Sequence, residues 1–202
     1  MRTSLNRSSV PERVALFGTS ADPPSIGHRA ILRWLSDRFD RVVVWASDNP
    51  FKSHQTPLEH RATMLELTIE ELQLEDCLSQ NRKNVNFHAS LSSPRTLTSV
   101  KKARALWPSA DFTLIVGSDL VPQLPQWYRI EELLQLVKLL VVPRPGSPLR
   151  SEDVEKLKQI ARVEIADTDT PDVSSTAYRQ TRDAQKIPPS VSAYIDREKL
   201  YA

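Results

Sequence analysis

The chain has 202 residues, 40% hydrophobic and 26% charged, which is the balance of a globular protein large enough for one compact domain. Lys and Arg total 27 against 25 Asp and Glu, so the net charge of +2 gives no electrostatic case for nucleic acid or a membrane surface as a partner. Cys77 is the only cysteine, which excludes an intrachain disulfide and a cysteine-based zinc site and favours a reducing, cytoplasmic compartment.

The beginning of the chain predicts a flexible extension followed by a strand and a helix. Residues 1–12 lack an apolar core, and we expect a single domain over residues 13–202. The apolar run 14–18 ends in glycine and predicts a buried strand. An amphipathic stretch that opens at Gly27 and His28 predicts the first helix.

The rest of the chain continues this alternation of strands and helices. Further strands are predicted at residues 42–46, 85–89, 112–117, 137–142 and 163–166. Further helices are predicted from Thr56-Pro57 through Leu72 and at about 96–106, 131–136, 174–182 and 189–198. Because the strongest strands are continuously apolar, the pattern predicts an α/β fold whose mostly parallel sheet has helices on both faces. Ligands of such sheets bind beyond the carboxyl ends of the strands.

Residues 17–28 offer a phosphate-binding loop without being a GxGxxG or a GxxxxGKS motif. Gly18 lets backbone amides face a ligand, and Gly27 lets the chain pack closely at a helix N-terminus. The free N–H groups and partial positive charge of that terminus favour an anion. His28, in the first turn, can donate a hydrogen bond to a phosphate oxygen. The alternative interpretation is an ordinary loop with a surface histidine.

Four further segments carry motifs in the same order along the chain. They are residues 49–56 with Glu59-His60-Arg61, Gly117-Ser118-Asp119 with 124–129, residues 173–179, and residues 188–195 with Leu200-Tyr201. Together with residues 17–28 they resemble the HxGH-type nucleotidyltransferase superfamily, in the variant found in nicotinate-nucleotide adenylyltransferases. The resemblance implies a Rossmann-like nucleotidyltransferase fold. It also implies adenylyl transfer from ATP to nicotinate mononucleotide, giving deamido-NAD and pyrophosphate in NAD biosynthesis.

The resemblance further implies which residues contact the two substrates. Those implied for ATP are Gly18, Thr19, Ser20, Ser25, Gly27, His28, Gly117, Asp119, Ser174, Ser175, Thr176 and Arg179. Those implied for the mononucleotide are Lys52, Thr96, Trp127 and Tyr128. His28, Lys52 and Arg179 are the catalytic candidates, because this reaction needs positioning and charge neutralisation more than acid–base chemistry.

Several of these residues have a specific role in this interpretation. Asp119 should bind a ribose hydroxyl, and the aromatic plane of Trp127 should stack on the pyridine ring. Thr96 and the backbone amide of Tyr128 should bind the nicotinate carboxylate. The alternatives are a surface aspartate and a core tryptophan. For the hydroxyls of residues 174–176, contacts with the β- and γ-phosphates and simple N-capping are both expected.

Mg²⁺ is the implied cofactor, carried by the ATP phosphates and water, and no metal site is predicted within the protein. His54, His60 and His88 do not have the spacing of metal ligands. The expected partners are the small-molecule substrates alone. The oligomeric state is not indicated by the sequence, and a homodimer is one option.

Two positions depart from the family pattern. Ser25 replaces the first histidine of HxGH, and Pro94-Arg95-Thr96 replaces a Ser-Tyr-Thr stretch. We expect the Ser25 hydroxyl to donate a hydrogen bond to a phosphate oxygen. Two other functions stay open. One is an adenylyltransferase for nicotinamide mononucleotide or another small phosphate such as phosphopantetheine; the other is an inactive module that senses ATP or a dinucleotide.

Overall fold

The computed structural model describes residues 10–49, 52, 54–79, 83–144, 146–168, 171 and 173–201. Its strands are β1 (Arg13–Thr19), β2 (Arg41–Ala46), β3 (Val85–Phe87), β4 (Asp111–Gly117), β5 (Lys138–Val142) and β6 (Val163–Ile165). Its α-helices are α1 (Ile26–Ser36), α2 (Leu58–Ser79), α3 (Thr96–Leu106), α4 (Ile130–Leu136), α5 (Ser151–Ile160), α6 (Ser175–Thr181) and α7 (Pro189–Glu198). Residues 1–9 of the predicted extension, and Pro50, Phe51 and Ser53 of the second motif, lie outside the described residues.

The six strands form one parallel sheet in the order β3-β2-β1-β4-β5-β6. This confirms the predicted α/β fold. The chain moves outward from β1 to β3 and then returns to place β4 on the other side of β1. Such a reversal opens a crevice at the carboxyl ends of the two strands, which is where open α/β sheets bind ligands.

Side chains of β1 alternate between two apolar clusters on opposite faces of the sheet. Val14 and Leu16 belong to one cluster, which also contains residues of α3, α4 and α5. Ala15 and Phe17 belong to the other, with residues of α1 and α2. Both faces are therefore covered by helices, and this explains why the strand is apolar at consecutive positions.

A third apolar cluster attaches the last two helices to α2 rather than to the sheet. It contains Met64 of α2, Tyr178 of α6, and Val191, Tyr194 and Ile195 of α7. This packing brings α6 and the residues after α7 beside the loop that joins β1 to α1.

Four described elements were not predicted from the sequence: α5 and the three 3₁₀ helices Ala89–Leu91, Ser118–Gln126 and Ala184–Lys186. Residues Ser118–Gln126 form a 3₁₀ helix, although Pro122 and Pro125 suggest a loop. Helix α5 was not predicted because only Val154 and Leu157 of its residues are buried, too few for a clear apolar stripe. Among the described helices none combines the length and the apolar character that crossing a membrane would need.

Glu12, the last residue of the predicted extension, contacts the sheet. Its carboxylate pairs with Arg41 at 2.8 Å, and its carbonyl accepts a hydrogen bond from the Asp111 N–H at 2.8 Å. Glu12 is thus attached to the sheet, one residue before β1 begins.

Candidate active site

His28 lies in the first turn of α1, directly behind the carboxyl end of β1, and is buried. Its Nδ1 accepts a hydrogen bond from the Ser25 N–H at 3.1 Å, and its Nε2 lies 3.1 Å from the Thr19 hydroxyl. Because Nδ1 is an acceptor, the proton of the neutral ring is on Nε2. The ring therefore presents an N–H donor towards the end of β1.

The charge of His28 is removed by its surroundings. Burial, with a smaller contribution from the positive charge of Arg144, lowers the pKa of His28 from 6.5 to about 3. The imidazole is neutral at physiological pH. As a neutral group His28 can serve as the predicted hydrogen-bond donor to a phosphate oxygen, and that contact stays a prediction.

Ser25 is completely buried, and its hydroxyl is used within the protein. The Oγ has one proton to donate, and two acceptors lie within its reach: His28 Nδ1 at 2.9 Å and the Val173 carbonyl at 3.2 Å. The predicted direct contact of this hydroxyl with a phosphate oxygen stays a prediction. As the N-cap residue of α1, Ser25 folds back over the first turn, where it orients His28 and holds the segment before α6.

Gly27 allows the close packing that the sequence suggested. A Cβ atom at this position would lie 2.8 Å from the Val173 carbonyl oxygen, and Cβ atoms in proteins essentially never come that close to another atom. The start of α1 and the segment before α6 therefore touch through their backbones.

Helix α6 is joined to the loop between β1 and α1 by two side chains. Arg179 donates hydrogen bonds to the Asp22 carbonyl and, at 3.2 Å, to the Thr176 hydroxyl. Ser175 donates to the Pro23 carbonyl at 2.7 Å. The predicted ATP residues of α6 thus lie next to the phosphate loop of the first motif.

The hydroxyls predicted to hold the β- and γ-phosphates all have partners within the protein. Ser174 accepts a hydrogen bond from the Ala177 N–H at 3.1 Å, so it is the N-cap of α6. The hydroxyls of Ser175 and Thr176 contact Pro23 and Arg179 as described above. The capping role is present in the structure, and phosphate contacts by these hydroxyls stay a prediction.

Lys52 extends towards the end of β1, where its Nζ donates to the Ser20 hydroxyl at 3.0 Å. Burial lowers the pKa of Lys52 below its usual value. The charges of Arg144 and Arg179 act in the same direction, and those of Asp119 and Asp22 oppose them. Lys52 therefore interacts electrostatically with charged residues that follow three strands: Asp22 after β1, Asp119 after β4 and Arg144 after β5.

Asp119, in the turn after β4, has one oxygen with a partner and one without. Its Oδ2 lies 3.3 Å from Arg144, and its Oδ1 is buried with no hydrogen-bond partner among the described residues. A Cβ at Gly117 would lie only 2.4 Å from that Oδ1. An unpaired buried oxygen is costly, by about 1–3 kcal/mol, and a ligand hydroxyl would remove this cost.

A small cavity lies between β1, β2, β4 and the start of α3. Its lining includes Gly18, Trp45, Ser47, Thr96 and Trp127. Thr96 is the first residue of α3, which begins without a side-chain cap and has no acidic residue in its first turn. The N-terminus of an α-helix in this state attracts a negatively charged group.

Trp127 and Tyr128 are neighbours with different surroundings. Trp127 is partly buried, packs against the core and lines the cavity, so it fits the core alternative as well as the stacking role. The Tyr128 side chain is 51% exposed, and the Arg95 guanidinium lies 5.2 Å from its ring centroid.

Arg61 is a buried residue to which the sequence analysis assigned no role. Its guanidinium donates to the carbonyls of Thr56 at 2.8 Å, Ser20 at 3.0 Å and Ser47 at 2.8 Å. One side chain therefore joins the loops after β1 and β2 to the start of α2. The only signal in the sequence was its position inside the second motif, since periodicity does not distinguish a buried arginine from an exposed one.

Comparisons with known proteins agree with this geometry. The profile of the cytidylyltransferase-like family matches residues 16–181. A protein of Synechocystis sp. named "probable nicotinate-nucleotide adenylyltransferase" is 42% identical over 94% of this chain and 98% of its own length. One of the same name from Gemmatimonas aurantiaca is 32% identical over 94% of this chain and 92% of its own.

Solved structures match the fold at lower identity. The nicotinic acid mononucleotide adenylyltransferase of Plasmodium falciparum, complexed with NaAD, superposes with a TM-score of 0.77 at 19% identity. The alignment covers 94% of this chain and 97% of that one. The same enzyme complexed with APC gives a TM-score of 0.74 at 20% identity, with the same coverage. From the family match and the sequence identities, this chain belongs to the cytidylyltransferase-like family and, within it, to the nicotinate-nucleotide adenylyltransferases.

Proposed function

We infer that this protein transfers the adenylyl group of ATP to nicotinate mononucleotide, giving deamido-NAD and pyrophosphate in NAD biosynthesis. The observation that carries this inference is that His28, Lys52 and Arg179 all contact residues 19–22, at and after the carboxyl end of β1, where Asp119 and Arg179 act electrostatically on Lys52. The names of its relatives support the same reaction.

The reaction needs no nucleophilic side chain. A phosphate oxygen of the mononucleotide attacks the α-phosphorus of ATP and forms the new P–O bond. The bond from that phosphorus to the bridging oxygen breaks, and its electron pair leaves on pyrophosphate. The task of the protein is to hold the two phosphates in line and to stabilise the charge that develops on them.

The side chains divide this task by their charge. The neutral Nε2–H of His28 donates a hydrogen bond to the transferring phosphate, and Lys52 and Arg179 neutralise the charge of the triphosphate. The N-terminus of α1 adds its free N–H groups. Ser25 acts on the same phosphate only through His28.

The two ends of the product occupy the two other parts of the site. A ribose hydroxyl of the adenylyl group donates a hydrogen bond to the unpartnered Oδ1 of Asp119. The nicotinate ring enters the cavity beside Trp127, and its carboxylate points at the N-terminus of α3 and at Thr96. Binding of the carboxylate by the Tyr128 amide stays part of this proposal.

Mg²⁺ enters with ATP, and it supplies charge neutralisation on the phosphates when bound. Among the described residues no group of three or more His, Cys, Asp and Glu could hold a metal ion. We propose that phosphate oxygens and water are the ligands of the ion. We also propose a cytoplasmic location, supported by the lone cysteine.

A pyrophosphate-release assay with ATP, Mg²⁺ and a panel of acceptors tests this function. We expect turnover with nicotinate mononucleotide and much less with nicotinamide mononucleotide or phosphopantetheine. A preference for either of those acceptors would assign the chain a different substrate. Binding of ATP without pyrophosphate release from any acceptor would make it an inactive nucleotide-sensing module.

A further inference from the structure

Tyr201, which follows α7, lies against the loop between β1 and α1. Its hydroxyl donates a hydrogen bond to Asp22 Oδ1 at 2.6 Å across a separation of 179 residues. We propose that Tyr201 is a positioning residue for adenylyl transfer: through Asp22 it fixes residues 20–25 of the phosphate-binding loop and the guanidinium of Arg179. The proposal rests on the proposed function and adds to it a residue that touches neither substrate.

Asp22 is the point at which several elements meet the phosphate loop. Its side chain is buried, and its Oδ2 accepts a hydrogen bond from the Thr56 N–H at 3.3 Å. Its backbone carbonyl accepts a hydrogen bond from Arg179. A change in the orientation of Asp22 therefore moves a backbone group on which a catalytic candidate depends.

The Tyr201 hydroxyl satisfies the other oxygen of that carboxylate. Without it, Oδ1 loses the donor that it has in this structure. A buried carboxylate oxygen without a donor has to turn towards water or recruit a new partner. Either response rotates the Asp22 side chain and loosens the loop that carries it.

The ring of Tyr201 is held by its neighbours. Tyr178 packs on it edge-on with ring centroids 6.0 Å apart, and the Arg182 guanidinium lies 5.6 Å from its centroid. The backbone of Tyr201 has a φ of 61°, in the left-handed region that bulky residues rarely adopt. Such a conformation persists where side-chain contacts dictate the position of the residue.

The hydroxyl also keeps its proton under ordinary conditions. Burial and the neighbouring Asp22 raise the pKa of Tyr201 above its usual value. It therefore acts as a hydrogen-bond donor to Asp22 over the whole pH range of an enzyme assay.

The test replaces Tyr201 by phenylalanine and compares it with a matched control. Tyr194→Phe also removes one hydroxyl from the cluster around α7, but that hydroxyl lies 2.8 Å from His60 Nδ1 and does not touch the phosphate loop. We expect Tyr201→Phe to lower kcat about tenfold, the effect of one lost hydrogen bond to a charged group, with KM for the acceptor unchanged. Tyr194→Phe should keep kcat within about twofold while showing a similar loss of stability to urea.

Hydrogen exchange of the unliganded protein supplies a readout independent of turnover. In Tyr201→Phe, the amides of residues 19–22, 25 and 26 and of Thr56 should exchange faster, whereas Tyr194→Phe should leave them unchanged. Equal kcat for wild type and Tyr201→Phe, or equal effects of the two variants, would overturn the positioning role. Absence of turnover in the wild-type protein would refute the proposed function and not the contact itself. In that case hydrogen exchange still tests the contact, and unchanged exchange in Tyr201→Phe would refute it.

Discussion

Burial determines what single side chains can contribute at this site, and His28 is the clearest case. We expect His28→Ala to fold and to lower kcat by about a hundredfold or more, because the lost donor acts on charge that develops during transfer. Pyrophosphate release measures the effect, and urea unfolding checks that the variant is folded. Turnover close to that of the wild type in a folded His28→Ala protein would remove His28 from the mechanism.

The lowered pKa of His28 also predicts how stability depends on pH. The folded-state pKa of about 3 lies below the unfolded value of 6.5, so the unfolded chain takes up a proton first as the pH falls. The free energy of unfolding should therefore decrease below pH 6.5, and His28 contributes about 1.4 kcal/mol of this loss per pH unit down to its folded pKa. Above pH 6.5 its contribution is constant.

Urea unfolding at pH 7.0 and 4.5 tests this linkage. His28→Gln should lose less stability between the two pH values than the wild type, because glutamine does not titrate. Between pH 7.0 and 8.0, where the contribution of His28 is constant, the two proteins should show the same change, and this interval is the control. The linkage is wrong when His28→Gln and wild type show the same difference between the two pH values.

Buried Ser25 affects turnover through His28 in this mechanism, and a substitution tests that role. Ser25→Ala should lower kcat/KM about tenfold and the free energy of unfolding by about 1 kcal/mol, since it loses the one hydrogen bond that the hydroxyl donates, to His28 Nδ1 or to the Val173 carbonyl. The loss should appear in kcat with little change in KM for ATP, because the hydroxyl does not face the ligand. A rise in KM for ATP with unchanged kcat would instead indicate that the Ser25 hydroxyl contacts a phosphate directly.

Among the secondary-structure elements, α1 is placed by its close approach to the segment before α6. Gly27→Ala improves intrinsic helix propensity by up to about 1 kcal/mol, but its Cβ would lie 2.8 Å from the Val173 carbonyl. A backbone atom cannot move away as a flexible side chain does. We expect the contact to dominate and the variant to be destabilised by about 1–3 kcal/mol with reduced turnover. A variant as stable and as active as the wild type in urea unfolding and pyrophosphate release would contradict this packing.

The N-terminus of α3 leads to a prediction about the acceptor. Its uncapped start at Thr96 favours the carboxylate of nicotinate, whereas the amide of nicotinamide would direct its own N–H groups at donors. Leaving such groups unpaired costs about 1–3 kcal/mol each, which corresponds to at least a tenfold preference in kcat/KM. Equal kcat/KM for the two mononucleotides would exclude α3 as the origin of selectivity.

For the whole molecule, the strand order explains why one site contains residues from nearly the full length of the chain. Placing β1 beside both β2 and β4 brings the loops after these strands to one edge of the sheet. The packing of α6 and α7 on α2 then carries Arg179 and Tyr201 to the same edge. A substitution of Arg179 or Tyr201 can therefore affect the loop between β1 and α1, which is remote from both in sequence.

The sequence by itself determined the parallel sheet, since continuously apolar strands are stable only when both faces are covered. It also determined where backbones must come close, because Gly18, Gly27 and Gly117 stand at strand ends and a helix start. What each glycine approaches was decided by the tertiary structure: the Trp45 ring, the Val173 carbonyl and the Asp119 carboxylate.

Protonation states and buried contacts were likewise decided only by the tertiary structure. The motifs indicated His28 and Ser25 but not that one is neutral and the other turned inward, because both properties depend on burial by residues far away in sequence. Arg61 and Tyr201 were inside recognised motifs without a role. Their hydrogen bonds reach loops separated from them by up to 179 residues, and local patterns carry no information about contacts of that range.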